Sequence, residues 1–518
     1  MSAHAATIET SPFDRTMITV CVMMATIMQA LDTTIANVAL PYMQGSLSAT
    51  YDQVSWVLTS YIVAAAIMTA PTGWLALRFG RKRLLIICSA GFTVASMLCG
   101  IAQSIDEMVL FRLLQGVFGA ALVPLSQAVM MDVFPPAQRG AAMSIWGMGV
   151  MLGPILGPTL GGYLTDAFSW RWVFFVNLPF GIATVLGLVF FMHETQPQRE
   201  RKFDWLGFGT LSLGIGALQM MLDRGEQVGW FTSNEILAYA VLTGVGFYFF
   251  LAHSFTTAKP FVPLVMFTDR NFSVSVVFMF LVGILILATL ALVTPYVQNV
   301  MGYPIITAGY VLGTRGIGTM ISMMVVGRLS NVIDGRLMVG TGLGLSTLAL
   351  YQLISLSPET SAWSLVWTSV LQGVGLGLVF VPLNTIAFAT LPAHLRTEAA
   401  GIWTLIRNLG SSIGVSVVIA QLTSGTTLMH ARLGESLTPF NTGLQFQVGG
   451  GPLDPTTDSG LALLDQVLTQ QANLIAFAND YKLMTIVSLA AFPLLLLLRS
   501  PRFAPARAAS PPPAAHAD

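Results

Sequence analysis

Between Gly140 and Asp166 the chain carries no charge, which is long enough to cross a bilayer at about 20 residues per helical span. Inside that run Gly149, Gly153, Gly157 and Gly161 fall at every fourth position, with Pro154 and Pro158 between them and Gly162 at the end. Glycine and proline weaken a helix in water. In lipid they are tolerated, because small residues let helices approach closely and neighbours re-satisfy freed carbonyls. The four glycines form one smooth groove down a single face, and the prolines bend the same helix. Read from spacing alone, this is a site of tight helix–helix contact within a membrane.

Composition agrees. The chain is 54% hydrophobic and 9% charged, with a mean hydropathy of +0.72. Its 518 residues leave room for a dozen or more spans. A formal net charge of zero, with no basic run interleaved with aromatics, gives no hint of nucleic acid. Cys21, Cys88 and Cys99 all lie in apolar runs, which argues against a disulfide framework. No cleavable signal peptide is expected, since the polar start leads directly into a long span. Spans are predicted near 16–40, 54–76, 84–104, 108–131, 141–164, 171–192, 205–222, 235–255, 271–295, 305–327, 337–357, 362–390, 399–422 and 481–498. The fold expected is an all-α integral membrane protein with 14 transmembrane helices. On that topology seventeen Lys and Arg residues fall on one side and four on the other. The positive-inside rule makes the rich side, with both termini, cytoplasmic.

An internal repeat is legible without any alignment. Leu114-Gln115-Gly116-Val117 and Val123-Pro124-Leu125 return as Leu371-Gln372-Gly373-Val374 and Val381-Pro382-Leu383. At the same offset Arg139 and Trp146 return as Arg396 and Trp403. Equal orientation of the matching spans predicts two parallel six-helix bundles. The domain organisation expected is a cytoplasmic N-terminus at 1–15, a first bundle at 16–192, a linker with two extra helices at 193–270, and a second bundle at 271–498. Within the second bundle, about 423–480 reads as a long outer loop that turns helical, with Leu464, Leu468, Gln471 and Ile475 on one face. It is either a cap over the cavity mouth or a docking surface. The tail at 499–518 is rich in Ala and Pro and reads as disordered.

Asp32 is the acid most clearly inside a span, with Met28 and Ala25 one and two turns before it. A carboxylate there costs several kcal/mol unless it is paired or protonated. It is either a helix–helix hydrogen-bonding group or a proton carrier. Arg112 is the natural partner, since a guanidinium cannot lose its proton in such a site. The repeat puts Ser369 at the position of Arg112, so the second half lacks that charge. Arg315 and Arg407 are the other two cations within spans. If they face the pathway they bias it toward neutral or weakly acidic amphiphiles. With Met28, Asn37, Gln115 and Asn408 they are assigned to the substrate pathway. The six histidines form no metal spacing, and no Gly-x-x-x-x-Gly-Lys-Ser/Thr phosphate loop occurs. No catalytic residue, metal or cofactor is expected.

Several stretches resemble one family. Residues Gly147 to Gly162 resemble the antiporter signature in the fifth span of major facilitator drug exporters. Leu31-Asp32-Thr33-Thr34 through Pro41 resembles that family's first-span motif, and Arg112, Gln115, Gly116 and Gly119 its fourth-span motif. Trp170-Arg171-Trp172 with Asn177, Pro179 and Gly181 is similar to the start of its sixth span. The chain thus resembles the fourteen-span drug/proton antiporters of the EmrB type over about residues 16–500. The resemblance implies proton-driven export of amphipathic drugs across a bacterial inner membrane, with Asp32 and Arg112 in coupling. It also implies a periplasmic adaptor and an outer-membrane channel as partners. Gly73, Arg78, Gly80, Arg81 and Lys82 match the superfamily's loop between spans two and three, where Leu77 replaces an Asp that helps lock the gate. The alternative reading of that basic cluster is a simple topological anchor on anionic lipid. The alternatives are a dedicated exporter of one metabolite or siderophore and, from another class, a non-transporting membrane sensor or enzyme.

Overall fold

A chain in hydrocarbon must satisfy its amides within itself, so each long apolar run closes into a helix. The computed structural model describes residues 11–135, 138–195, 202–330, 332–392, 395–435, 437, 453–454 and 456–499. The first half comprises α1 (Pro12–Ser46), α2 (Tyr51–Thr69), α3 (Thr72–Phe79), α4 (Arg81–Ile101), α5 (Ile105–Gly119), α6 (Leu122–Val133), α7 (Arg139–Ala167), α8 (Trp172–Phe175) and α9 (Asn177–Phe191). Next come α10 (Trp205–Arg224) and α11 (Asn234–Thr256). The second half comprises α12 (Arg270–Pro295), α13 (Ile305–Leu329), α14 (Gly335–Leu353), α15 (Ala362–Ala389), α16 (Arg396–Glu435) and α17 (Asp458–Ala490). Polar side chains fix several starts: Thr50 and Gln53 form a reciprocal capping box, and Asp204, Asp269 and Thr457 each accept from a first-turn amide.

Among the described residues, eleven helices are long and apolar enough to cross a membrane, and the pair α2 and α3, bent by 58°, makes a twelfth. α13 and α14 fill two further columns of the bundle, an arrangement consistent with fourteen spans. The end of the molecule differs from the sequence expectation. α16 runs on to Glu435, where the sequence placed the start of the outer loop at about 423, while α17 begins at Asp458, within the part of that loop expected to turn helical. At 40 residues α16 is roughly 60 Å long, twice the hydrocarbon thickness, so it projects beyond the bilayer with α17 beside it. The expected face also rotates. Gln471 and Ile475 are exposed, whereas Ala472 and Ala476 are buried. Small residues win that position because they let the two helices close up, and Gly425 of α16 sits against Ala476. The glycine run at 449–452 and the tail beyond Arg499 lie outside the described residues.

The two halves meet where the repeat brings equivalent residues face to face. Gln127 of α6 donates to Asn384 of α15, and the two are 257 residues apart, which is the repeat offset itself. Trp146 stacks on Phe380 at 5.9 Å and 15°. Its repeat mate Trp403 packs edge-on against Phe388 at 5.6 Å. α7 lies along α13 as one seam between the halves. On the opposite flank α10 packs against both α2 and α16. Thr59 of α2 donates to Asp223 of α10, and Ser416 of α16 donates to the Leu222 carbonyl. α11 lies outermost, with Tyr248 and Phe255 facing outward as lipid-exposed aromatics.

The glycine groove of α7 receives α1. Gly149 lies against Met23, Gly153 against Ala30, Gly157 against Thr34 and Gly161 against Ile35, while Gly162 faces open space. Thr34 Oγ1 donates to the Gly153 carbonyl at 2.9 Å, a contact that closeness alone makes available. The side chains of Pro154 and Pro158 lie outside the described residues. Gly157→Leu should therefore push α1 off α7 and cost about 2 kcal/mol. Thermal unfolding of the detergent-solubilised protein should show a clear drop for Gly157→Leu and none for Gly162→Ala.

Candidate functional site

The groove on α7 fixes the height and rotation of α1, and with them the position of Asp32. That carboxylate is completely buried, as is Arg112 of α5. Arg112 Nη1 donates to Asp32 Oδ2 at 2.7 Å. Gln115 Nε2 and Asn177 Nδ2 donate to Asp32 Oδ1 at 2.8 and 3.3 Å. The guanidinium also donates to Gln115 Oε1 at 2.8 Å and to the Val57 carbonyl at 3.1 Å. Its carbon lies 4.3 Å from the Tyr61 ring centroid and 5.7 Å from that of Phe174. The pair is thus neutral overall, sealed from solvent and walled by aromatic rings. Such a pair holds only while both partners stay, since removing one strands the other at a cost of roughly 3–5 kcal/mol.

Five spans build this cluster, so it reports the packing of most of the first half. Asn177 opens α9 and is held by Ser96 of α4 at 3.0 Å. Tyr61 of α2 accepts from Gln29 of α1 at 3.1 Å. Sequence reading found Asp32, Arg112 and Gln115. Asn177 was visible only within a span-start motif, and Tyr61 and Ser96 gave no signal, because a lone Tyr or Ser in an apolar run is usually packing.

The other predicted pathway residues are not gathered there. Met28 is buried in the apolar core, and Asn37 is exposed further along α1. Gln115 belongs to the sealed pair rather than to an open passage. Arg315 of α13 borders a small apolar cavity in the second half with Ile286, Leu343, Gln372 and Leu376, and donates to the Ile286 carbonyl at 3.1 Å. Gln372 is the repeat mate of Gln115, so the cavity occupies the place that the ion pair takes in the first half. Arg407 donates to Asn408 Oδ1 at 3.4 Å. Among the described residues neither arginine has a carboxylate within salt-bridge reach. The count of charges within the spans also needs correction. Asp480 is fully buried and Asp223 part-buried, and the expected boundaries had left both outside.

At the basic end of the bundle, Arg81 ion-pairs with Asp132 of α6 and donates to Thr397 of α16 at 2.6 Å. Gly73 lies against Glu398 so closely that an added Cβ would fall 2.6 Å from its Cα. These contacts close that end across the two halves, in spite of Leu77. Arg81 is therefore more than a lipid anchor. Gly80, at φ +89°, makes the turn that only glycine takes without strain, and its place is backed by Glu194. Glu194 accepts from the amides of Lys82 and Arg83, and Lys82 Nζ donates to the Val189 carbonyl at 2.8 Å. Arg78 is half-buried in the last turn of α3. The repeat-related Arg139 and Arg396 face one cavity with Met131, Met143 and Phe388.

The sequence profile of the Major Facilitator Superfamily matches residues 22–415. The chain is similar to the multidrug export protein EmrB of Escherichia coli strain K12, 35% identical over 467 residues, or 89% of this chain and 91% of that one. It is similar to the fatty acid resistance protein FarB of Neisseria gonorrhoeae, 33% identical over 486 residues, 93% of this chain and 96% of that one. Among solved structures it shares its fold with the human organic anion transporter MFSD10, at a TM-score of 0.59 and 13% identity, over 94% of this chain and 100% of that one. With an internal repeat, two packed halves and these relatives, the chain belongs to the Major Facilitator Superfamily, among its EmrB-type exporters.

Proposed function

We propose that this chain exports amphipathic compounds across a bacterial inner membrane in exchange for protons, and that Asp32 carries the proton. The observation that supports this most is the sealed Asp32–Arg112 pair, mounted on the helix that the glycine groove holds. Protonating Asp32 removes the counter-charge of Arg112 in a dry site, where a lone charge is costly. Arg112 then keeps hydrogen bonds to Gln115 and Val57 but no counter-ion, which loosens the hold on α1 in the groove. Because contacts of α3, α4 and α6 with α16 close the basic end, a shift of the first half against the second opens it. The charge asymmetry supports a cytoplasmic position for that end and for both termini. The proton gradient is the energy source, and no cofactor is involved.

Asp32→Asn should abolish pH-driven transport in proteoliposomes while the protein still folds, since the amide is the isostere of the neutral acid. Arg112→Ala should be as damaging and also lower thermal stability, because it strands the carboxylate. Wild-type rates in Asp32→Asn would overturn the assignment.

Substrate charge follows from Arg315 and Arg407, which lack acidic partners among the described residues. Asp223 and Asp480 do not pair with them among the described residues, since Asp223 accepts from Thr59 and the oxygens of Asp480 have no partner. In low dielectric their field reaches over several ångströms. Neutral amphiphiles and weak acids should be handled better than dications, with methionine and aromatic side chains giving adaptable contact. The name of the relative FarB, a fatty acid resistance protein, supports this. Resistance profiling of a pump-deficient host tests it: protection against lipophilic weak acids is expected, and protection against dications alone would refute it.

The projecting pair α16 and α17 fits an adaptor protein that passes substrate to an outer-membrane channel. Leu461, Leu463 and Val467 are exposed on the stretch of α17 outside the membrane, where no lipid covers them. Replacing the three by serine should lower whole-cell resistance severalfold and leave transport in proteoliposomes unchanged. Equal loss in both assays would mark the pair as a lid of the transporter itself.

A further inference from the structure

Asp480 of α17 has no exposed surface, and neither of its carboxylate oxygens has a hydrogen-bond partner among the described residues. Its neighbours on the buried face, Phe477, Tyr481 and Met484, belong to an apolar cluster completed by residues of α12, α14 and α16. Two more polar atoms in that cluster are buried and unpartnered, the hydroxyls of Tyr296 and Tyr481. Tyr296 opens a single π turn, Tyr296–Val300, that packs against α17, and its ring lies 5.3 Å from that of Phe477. Such turns are frequent at functional sites, since they free backbone groups at small cost. Three unsatisfied polar groups on touching elements mark a place built for a small polar guest rather than for packing.

Among the described residues no fixed charge answers the carboxylate. Arg270 and Arg336, at the basic ends of α12 and α14, bond to the carbonyls of Leu497 and Leu498. On α16, Arg396 and Glu398 lie at the basic end, Arg407 at Asn408, and His430 beside Asp465 in the projecting stretch. Arg432 and Glu435 are exposed at the far end of α16, and Lys482 of α17 donates to Asn479 Oδ1 at 3.4 Å on the exposed side, so within the cluster itself the titratable groups are Tyr296 and Tyr481. The first half offers a comparison: there the buried Phe174 is followed one turn on by Asn177, which donates to Asp32. In the last span the buried Phe477 is followed one turn on by Asp480. The same one-turn spacing from a buried Phe thus carries an acid in the last span and an acid-holding amide in the first half.

We propose that Asp480 is a second proton-binding site, belonging to the second half and loaded independently of Asp32. A carboxylate that is charged, dry and unpaired is the costliest state open to it. With a proton it is neutral and can stay in the dry cluster beside the two phenols. Opening of the cluster admits water, the proton leaves as hydronium, and the second half acquires a charge that opposes reclosure. The site goes beyond the Asp32 reading and does not depend on it.

Carbodiimide labelling of the purified full-length protein, read by peptide mass spectrometry, tests the proposal. The reagent attacks a protonated carboxyl in an apolar setting. An adduct at Asp480 is expected at mildly acidic pH, falling as pH rises, in wild type and in Asp32→Asn alike. In proteoliposomes Asp480→Asn, the isostere of the neutral acid, should release one proton fewer per substrate than wild type. Absence of the adduct at every pH, or an unchanged proton count in Asp480→Asn, overturns the proposal. Full pH-driven transport by Asp32→Asn with the Asp480 adduct intact would instead refute the role of Asp32 alone.

Discussion

Hydrocarbon does not tolerate a lone charge, and the first half of this transporter is arranged around that fact. Asp32 and Arg112 come from different helices and meet at 2.7 Å, with Gln115, Asn177, the Val57 carbonyl and the Tyr61 ring completing their shells. Each partner makes the other tolerable, and each fixes a helix. α1 must stand where its acid meets the guanidinium, and the glycines of α7 are what let it stand there. The ion pair and the glycine groove are therefore one device seen from two sides, the electrostatic and the steric.

The second half keeps the scaffold and gives up the pair. Ser369 stands where Arg112 would be, Gln372 keeps the place of Gln115, and Arg315 reaches toward the site from a different helix. Where equivalent residues of the halves meet, as Gln127 and Asn384 do, they sit on the axis that relates them. Sequence duplication thus left a symmetric hinge surface and an asymmetric interior. That division is what an exchanger needs, since the surface carries motion and the interior carries chemistry.

Much of this was legible in the chain. Spans follow from long uncharged runs, the two halves from the repeat, and Asp32 with Arg112 from the rarity of charges in apolar segments. The rest was hidden for definable reasons. Asp480 follows Asn479 and precedes Lys482, so hydropathy starts the last span one residue too late and assigns the acid to water. Burial there is decided by α12, α14 and α16, which no local window sees. Asp223 was lost in the same way at the end of α10. The helical extension of α16 was missed because polar residues cut a hydropathy run without cutting a helix. Leu77 looked like a damaged gate, yet Asp132, Thr397 and Glu398, distant in sequence, converge on Arg81 and Gly73 to close it.

The inserted helix α10 adds a constraint of its own. It is tied to α2 through Asp223 and to α16 through the Leu222 carbonyl, two adjacent residues gripping opposite halves. Along the far flank, α7 and α13 form a continuous seam. Halves that rock must release either grip on α10 in every cycle, while the seam only pivots. The insertion therefore makes the motion lopsided, like a door hinged on one jamb and latched on the other. Its latch consists of a hydroxyl on a carboxylate and a hydroxyl on a carbonyl, bonds weak enough to break thermally and specific enough to re-form in register.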